Sequence, residues 1–452
     1  MQDNEFESEY NDAGMEADIY DARSYETERK YVKNKGYCKG IITGVVFSLF
    51  AYCTISLAGY FWTTGNQKRD DVKEVSGNIG TDIKEDGADT TLFDDNDFSK
   101  MELIQSYIDA YSYYEQDTDK LKDGVYSAFL NSLDDNYAVY YNEEDYKSLS
   151  ESTEGKYVGI GCVVSQNTSG QVVAIQPYKN SPAYEAGIGV GDIILKADGI
   201  ELTGMDLTEA VSHIRGEEGT SVEVTFLHEG EEITKTIERK NIEIPTVEYE
   251  MKEDNIGYIK ISSFDEVTVE QFSGAVDELA KDGARGLIFD VRSNPGGLYE
   301  AVVAMLDKLL PEGTLVYTED KYGNRESKTS DAACVELPMA VIINGDSASA
   351  SEIFAGAMKD FDAAEIIGTQ SYGKGIVQAV VPLGDGSAIK LTVSSYFTPS
   401  GVCIHGVGIT PDEVVELTTD EKAYDDNGYL LDEYDTQLQA ALKYIKTEIK
   451  NK

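Results

Sequence analysis

"VIINGDSASASEIFAGAMKD", residues 341–360, opens as an unbroken run of branched apolar residues and closes with apolar residues at three- and four-residue spacing. The first part predicts a strand buried on both faces, the last part an amphipathic helix, and the small polar residues between them a strand-to-helix turn. Backbone N–H groups point out of such a junction beside the positive end of the helix dipole, so it favours chemistry on negative charge. Three serines stand in it: Ser347, Ser349 and Ser351. Ser349 and Glu352 also fit the S-x-x-E capping box, so ordinary capping would account for them taken alone.

The same alternation extends to both sides. "IGYIKI" (256–261), "RGLIFDV" (285–291) and "MAVIIN" (339–344) read as strands. "VEQFSGAVDELAKDG" (269–283) and "LYEAVVAMLDKLL" (298–310) read as helices between them. Strands alternating with helices argue for an α/β layer structure with a partly parallel sheet. "IVQAVVPL" (376–383) and "AIKLTVSSYFTP" (388–399) add further strands, and a final helix begins near 434.

Directly after one buried strand stands Asn294-Pro295-Gly296-Gly297. Glycines there let a bare backbone N–H approach a ligand, as one half of an oxyanion hole; a tight strand-to-helix turn is the plainer account. A serine nucleophile also needs a base. His213 and His228 fall in a β-rich segment and His405 in a Gly-rich loop, none of them convincingly placed. A lysine serves instead where burial makes its neutral amine accessible. Lys374, between two glycines in "GTQSYGKGIVQ" (368–378), is the candidate. That stretch has the G-x-x-x-x-G-K spacing of a phosphate-binding loop, but Gly375 stands where the magnesium-holding Ser or Thr belongs, and a β-rich run follows where a helix should start.

Upstream, residues 155–240 hold short β-rich runs, one short helix in "DLTEAVSHIRG" (206–216) and the Gly-punctuated turn "NSPAYEAGIGVGDIIL" (180–195). The order resembles a PDZ domain, with "YVGIG" (Tyr157, Val158, Gly159, Ile160, Gly161) where such domains hold the loop that receives a peptide's terminal carboxylate. The strand at 161–165 would then accept the peptide as an added strand. Residues 98–150 show helical spacing, and 63–97 an acidic, Gly- and Thr-rich linker composition.

Residues 41–62, "IITGVVFSLFAYCTISLAGYFW", run without a charge, long enough to span a bilayer as a helix. Arg29, Lys30, Lys33, Lys35 and Lys39 precede it, whereas Lys68 and Arg69 beyond it are offset by Asp70 and Asp71. The positive-inside rule leaves the N-terminus cytoplasmic and the rest outside, behind an uncleaved single-pass anchor. A net charge of −45 over 452 residues opposes nucleic-acid binding. The five cysteines include no C-x-x-C pair, so neither a zinc site nor a disulfide framework is legible.

Together, "GDSASASEIFAGAMKD", "GTQSYGKGIVQ", "DVRSNPGG", "TPSGVCIHGVGITPD" and the PDZ-like block resemble, in this order, the C-terminal processing (tail-specific) proteases, over roughly residues 98–450. The resemblance implies a multidomain chain of mixed α/β class. Its parts would be a cytoplasmic tail (1–40), a transmembrane helix (41–62), a linker (63–97), a helical region (98–152), a PDZ domain (153–242), a crotonase-like α/β serine protease core (243–418) and an acidic segment with a C-terminal helix (419–452). It implies Ser349 as nucleophile, Lys374 as general base and Gln378 as the residue orienting that lysine. The backbone N–H groups of Ala350 and Gly296 would form the oxyanion hole. Asp360 matches an acidic position some members use, about three helical turns past Ser349 on the same face. Arg215 falls where the PDZ domain would couple to the protease body. On a strand, Lys374 and Gln378 would share a face. Protein or peptide substrates with apolar C-terminal tails are implied, without metal or other cofactor, and the helical region resembles one through which some members dimerise. The rival from another class is a membrane-anchored PDZ scaffold with an inactive protease domain; the intact Ser349, Lys374 and Gln378 argue against it.

Overall fold

The computed structural model describes residues 55–56, 93–424 and 430–451. The run 41–62 expected to span a membrane therefore lies outside the described residues, apart from the strand β1 (Ile55–Ser56). Among the described residues no helix is long and apolar enough to cross a membrane.

The helical region holds α1 (Asp95–Tyr111), α2 (Thr118–Asn131), the strand β2 (Val139–Tyr141) and α3 (Glu143–Glu154). Each helix starts on a side-chain cap: Asp94, Asp117 and Asn142 accept backbone N–H groups of the first turn. α3 ends at Gly155 in the left-handed conformation, where a side chain would run into Val267. The apolar spacing that predicts α1 does not bury it, since Leu103 and Ile104 are 53% and 50% exposed.

The next unit is built from β3 (Lys156–Gly159), β4 (Cys162–Gln166), β5 (Val172–Pro177), α4 (Pro182–Glu185), β6 (Ile193–Ala197), β7 (Ile200–Glu201), α5 (Leu207–Ile214), β8 (Ser221–His228), β9 (Glu231–Glu238) and β10 (Lys240–Glu243). Its antiparallel sheet runs β4-β5-β6-β8-β9, which leaves β4 on an edge. Val222, Val224 and Phe226 alternate inward along β8 onto a core shared with Ala210 and Ile214 of α5. β3 stands apart, paired antiparallel with β10.

The remainder is the α/β part: β11 (Val247–Lys252), β12 (Ile256–Ile261), α6 (Glu266–Lys281), β13 (Gly286–Asp290), α7 (Tyr299–Leu309), β14 (Gly313–Asp320), β15 (Arg325–Ser330), β16 (Met339–Ile343), α8 (Ala350–Asp360), β17 (Ala364–Gly368), β18 (Ile376–Pro382), β19 (Ala388–Phe397), β20 (Glu413–Val414) and α9 (Thr436–Asn451). One sheet runs β11-β12-β13-β16-β17-β20, parallel except for β11. Every residue of β13 and β16 is buried because helices cover both faces. Leu287, Phe289, Val341 and Ile343 pack with residues of α6, α7 and α8, while Ile288, Ala340 and Ile342 pack under Leu438, Ala441 and Ile445 of α9.

Arg292, just past β13, bonds both Asp290 and Asp435, and Asp435 in turn accepts the first amides of α9. A second, antiparallel sheet joins β18, β19 and the hairpin β14–β15, with β2 from the helical region added along β19 and β1 parallel to β18.

Asp265, ahead of α6, is buried, and burial pushes its carboxyl up to about 7 although the Ser263 hydroxyl bonded to it pulls the other way. A carboxyl whose folded pKa is raised costs the native state stability as pH climbs from the unfolded pKa, about 4, towards 7. Urea titrations at pH 5 and pH 8 should therefore show the parent losing on the order of a few kcal/mol across that interval relative to Asp265→Asn.

Candidate active site

The turn between β16 and α8 sorts its three serines. Ser347 Oγ donates to Val291 O at 2.8 Å and Ser351 Oγ to Asn294 O at 2.8 Å, so both are occupied in holding the turn to the end of β13. Ser349 is the residue before α8, with φ 56° and ψ −114°. A non-glycine residue in that region is strained, and it persists only where the surroundings over-determine it. A strained serine on a strand-to-helix turn is the arrangement that lifts a nucleophile out of a sheet.

The Asn294–Gly297 turn leans directly on it. A methyl group on Gly296 (φ 107°) would sit 2.8 Å from Ser349 Cβ and 2.9 Å from the Ala350 N. On Gly297 it would sit 2.4 Å from the Phe264 carbonyl oxygen, so only glycine allows the two segments to meet. Asn294 fastens the turn: its Nδ2 donates to Ile261 O at 2.9 Å, and its carbonyl accepts the Ala348 N–H at 3.1 Å. The Gly296 N–H, expected bare, donates to Asn294 Oδ1 at 2.8 Å. The turn's closing Asx contact captures it, which sequence alone did not reveal.

Glu352 joins Ser349 to Lys374. Its side chain is fully buried one turn into α8, and Oε2 accepts both the Ser349 N–H (2.9 Å) and the Lys374 N–H (2.7 Å). Oε1 accepts the Ser371 hydroxyl (2.6 Å) and the Gly373 N–H (2.7 Å). Burial raises the Glu352 carboxyl above its ordinary value against the pull of these four donors. The capping box was legible in sequence; that the same carboxylate also holds residues 371–374 was not, because the partners are far along the chain.

Lys374 and Gln378 are both buried. Contrary to expectation, Lys374 lies in the loop before β18 and not on a strand, and the ladder slips between Val377 and Gln378. What brings the two together is Tyr137: Lys374 Nζ lies 4.7 Å from the centre of its ring, and Gln378 Nε2 donates to its carbonyl at 3.3 Å. Gly375 is glycine for a packing reason, since a side chain there would strike the His405 backbone at 2.2 Å.

Asp360 is not brought to the site. It sits exposed at the far end of α8, roughly 16 Å along the helix from Ser349, and accepts the Ser400 N–H at 2.8 Å. Arg215 closes α5, stacks over the Tyr157 ring at 4.8 Å and pairs with Glu151 of α3 at 2.9 Å, so it ties the β-unit to the helical region. A groove of about 260 Å³ runs beside the edge strand β4, lined by Gly159, Ile160, Val163, Val211 and Ile214. Tyr157–Gly159 belong to β3, and only Ile160 and Gly161 form the turn before β4. Among the described residues no cluster of metal-ligating side chains is present.

Fold and site thus define a serine peptidase core preceded by a PDZ domain. The model of peptidase family S41 matches residues 255–415, and that of the PDZ domain residues 173–227. The carboxy-terminal processing protease CtpA of Bacillus subtilis is 38% identical over 326 residues, 72% of this chain and 70% of that protein. The carboxy-terminal-processing protease of Bartonella bacilliformis is 38% identical over 316 residues, 68% and 72% of the two chains. Among solved structures, the photosystem II D1 C-terminal processing protease matches at 30% identity over 72% of this chain and 89% of its own, with a TM-score of 0.43. The chain belongs to the carboxy-terminal processing serine proteases of peptidase family S41.

Glu352→Gln keeps the shape of the side chain but sets an NH₂ against N–H donors. It should lower kcat about 100-fold or more while thermal unfolding stays cooperative, because misplacing a base by an ångström has that effect. Full activity in this variant would remove Glu352 from the site's construction.

Proposed function

We propose that the chain is a membrane-anchored endopeptidase acting outside the cytoplasm, which recognises protein C-terminal tails through its PDZ domain and cleaves with Ser349 as nucleophile and Lys374 as base. The observation that carries the reading is the convergence of the strained Ser349 and the Lys374 backbone on one oxygen of Glu352, with Gly296 packed against Ala350.

In this reading the Lys374 amine takes the Ser349 hydroxyl proton as Oγ attacks the scissile carbonyl. The Ala350 N–H and an N–H of the Asn294–Gly297 turn hold the oxyanion. Lys374 returns the proton to the leaving amine, and water hydrolyses the acyl-enzyme. Gln378 orients the amine. The Gly296 N–H serves as oxyanion donor once it exchanges Asn294 Oδ1 for the reacting oxygen. No step calls on Asp360.

The tail adds as a strand along the open edge of β4, its carboxylate on the Ile160–Gly161 turn that follows β3. The groove walls are apolar, and the Cys162 thiol, pushed up to about 12 by burial, contributes to them as an unreactive group. Arg215 signals occupancy of the groove through Glu151 and α3, whose end packs on Val267 and Asp265 beside Phe264 and the glycine turn. The apolar run 41–62 with its basic flank supports an anchor that leaves the protease outside the cytoplasm.

Ser349→Ala and Lys374→Ala should each reduce cleavage of an apolar-tailed protein by about a thousandfold or more. Replacing the last residues of that substrate with charged ones should raise KM and leave cleavage of a short internal peptide unchanged. Full activity in either variant would overturn the Ser–Lys assignment.

A further inference from the structure

The segment between α2 and α3 lies outside the part matched by the peptidase model, yet it reaches the base. Asp135 anchors it: Oδ2 accepts the Thr392 N–H at 2.9 Å and Oδ1 the Thr392 hydroxyl at 3.0 Å, and Thr392 is the ladder partner of Gln378. Asp135 Oδ1 also accepts the Tyr137 N–H at 3.0 Å, so one carboxylate sets the position of Tyr137 relative to β19. The chain then continues as β2 along β19, pairing Val139 with Lys390 and Tyr140 with Ile389.

Tyr137 meets the base pair twice. Its ring lies 4.7 Å from Lys374 Nζ, inside the range of about 6 Å at which an aromatic face attracts an amine cation. Its carbonyl can only accept, so the 3.3 Å bond from Gln378 Nε2 fixes which way round the amide sits and leaves Oε1 as the remaining acceptor. That Oε1 is buried and has no hydrogen-bond partner. A buried orphan acceptor calls for a donor, and the Lys374 amine is the one the proposed mechanism supplies. The Glu352 carboxylate does not compete for the amine, because both its oxygens are taken up by backbone amides and the Ser371 hydroxyl.

We propose that Tyr137 is a positioning residue for the catalytic lysine: its ring confines the Lys374 amine, and its carbonyl turns Gln378 so that an oxygen faces that amine's proton. The inference rests on Lys374 being the base. A lysine side chain has four rotatable bonds and loses its catalytic geometry unless something limits them. The ring face does so without the ion pair that a carboxylate would make, which would hold the amine in its protonated form and deny it to the serine proton. The serine core is therefore completed by a residue that precedes the PDZ domain.

The test is the second-order rate at which a fluorophosphonate probe labels Ser349 in the full chain, because labelling needs an activated hydroxyl but no tail recognition. Tyr137→Leu should label about tenfold or more slowly, and Tyr137→Phe, which keeps the ring face, within about twofold of the parent. In peptide cleavage Tyr137→Leu should lower kcat and leave KM unchanged. Asp135→Ala releases the segment without touching Lys374 and should slow labelling equally; it decides the matter if Tyr137→Leu does not fold. Parental labelling by Tyr137→Leu or by Asp135→Ala, or equal slowing in Tyr137→Phe and Tyr137→Leu, would overturn the inference. Lys374→Ala separates the two levels. If it abolishes labelling while Tyr137→Leu labels normally, only the role of Tyr137 falls; if it labels normally, the base assignment falls with it.

Discussion

The site depends on one buried carboxylate. Glu352 is withdrawn from water, which penalises its charge, and it answers that penalty with four short donors: three backbone amides and one hydroxyl. None of these donors is a cation, so the charge is met by oriented dipoles rather than cancelled. The result is a rigid joint between the start of α8 and residues 371–374, reinforced by the Tyr372 N–H, which donates to Ser347 O at 3.0 Å. The same joint holds Ser349 in its positive-φ conformation, with its N–H on Glu352 Oε2; the capping contact alone does not require that conformation, since Asp94 and Asp265 make it at φ −104° and −95°.

A second constraint is close approach. The Asn294–Gly297 turn can lie against Ser349 only because Gly296 and Gly297 carry no side chain, and Phe264 bridges Gly297 from the opposite side. Asp265 follows Phe264, and Gly155 at the end of α3 packs on Asp265 and Val267. The glycine turn, the first turn of α6 and the end of α3 therefore form one contiguous stack, and Arg215 touches the outer member of it through Glu151.

Much of this was legible in the sequence where the pattern is local. The unbroken apolar runs of β13 and β16, the helices α6 to α8 and the strands β18 and β19 follow from periodicity, because burial on both faces leaves a strong mark on composition. The β14–β15 hairpin was missed: its second strand, Arg325–Ser330, is polar and exposed, and carries no apolar signal. Ser349 and Lys374 meet through Glu352, and Lys374 and Gln378 through Tyr137, but Lys374 reaches Gln378's surroundings from a loop and across a bulge, not along a strand face. Asp360 illustrates the limit of helical arithmetic. The spacing puts it on a shared face, yet eleven residues also carry it to the far end of α8. Tyr137 and Asp135 drew no role from the sequence, because the partners that bring them to the site, Gln378 and Thr392, lie more than two hundred positions away.

The pairing of Arg292 with Asp435 has a further consequence for when the protein becomes whole. The strand that feeds the glycine turn is buttressed by a carboxylate 143 residues downstream, at the start of α9, and the face of the sheet beneath Ile288 and Ile342 stays uncovered until α9 lands on it. Contacts of such long sequence separation are the slow ones to close, so the sheet that carries Ser349 is completed only when α9 docks on it.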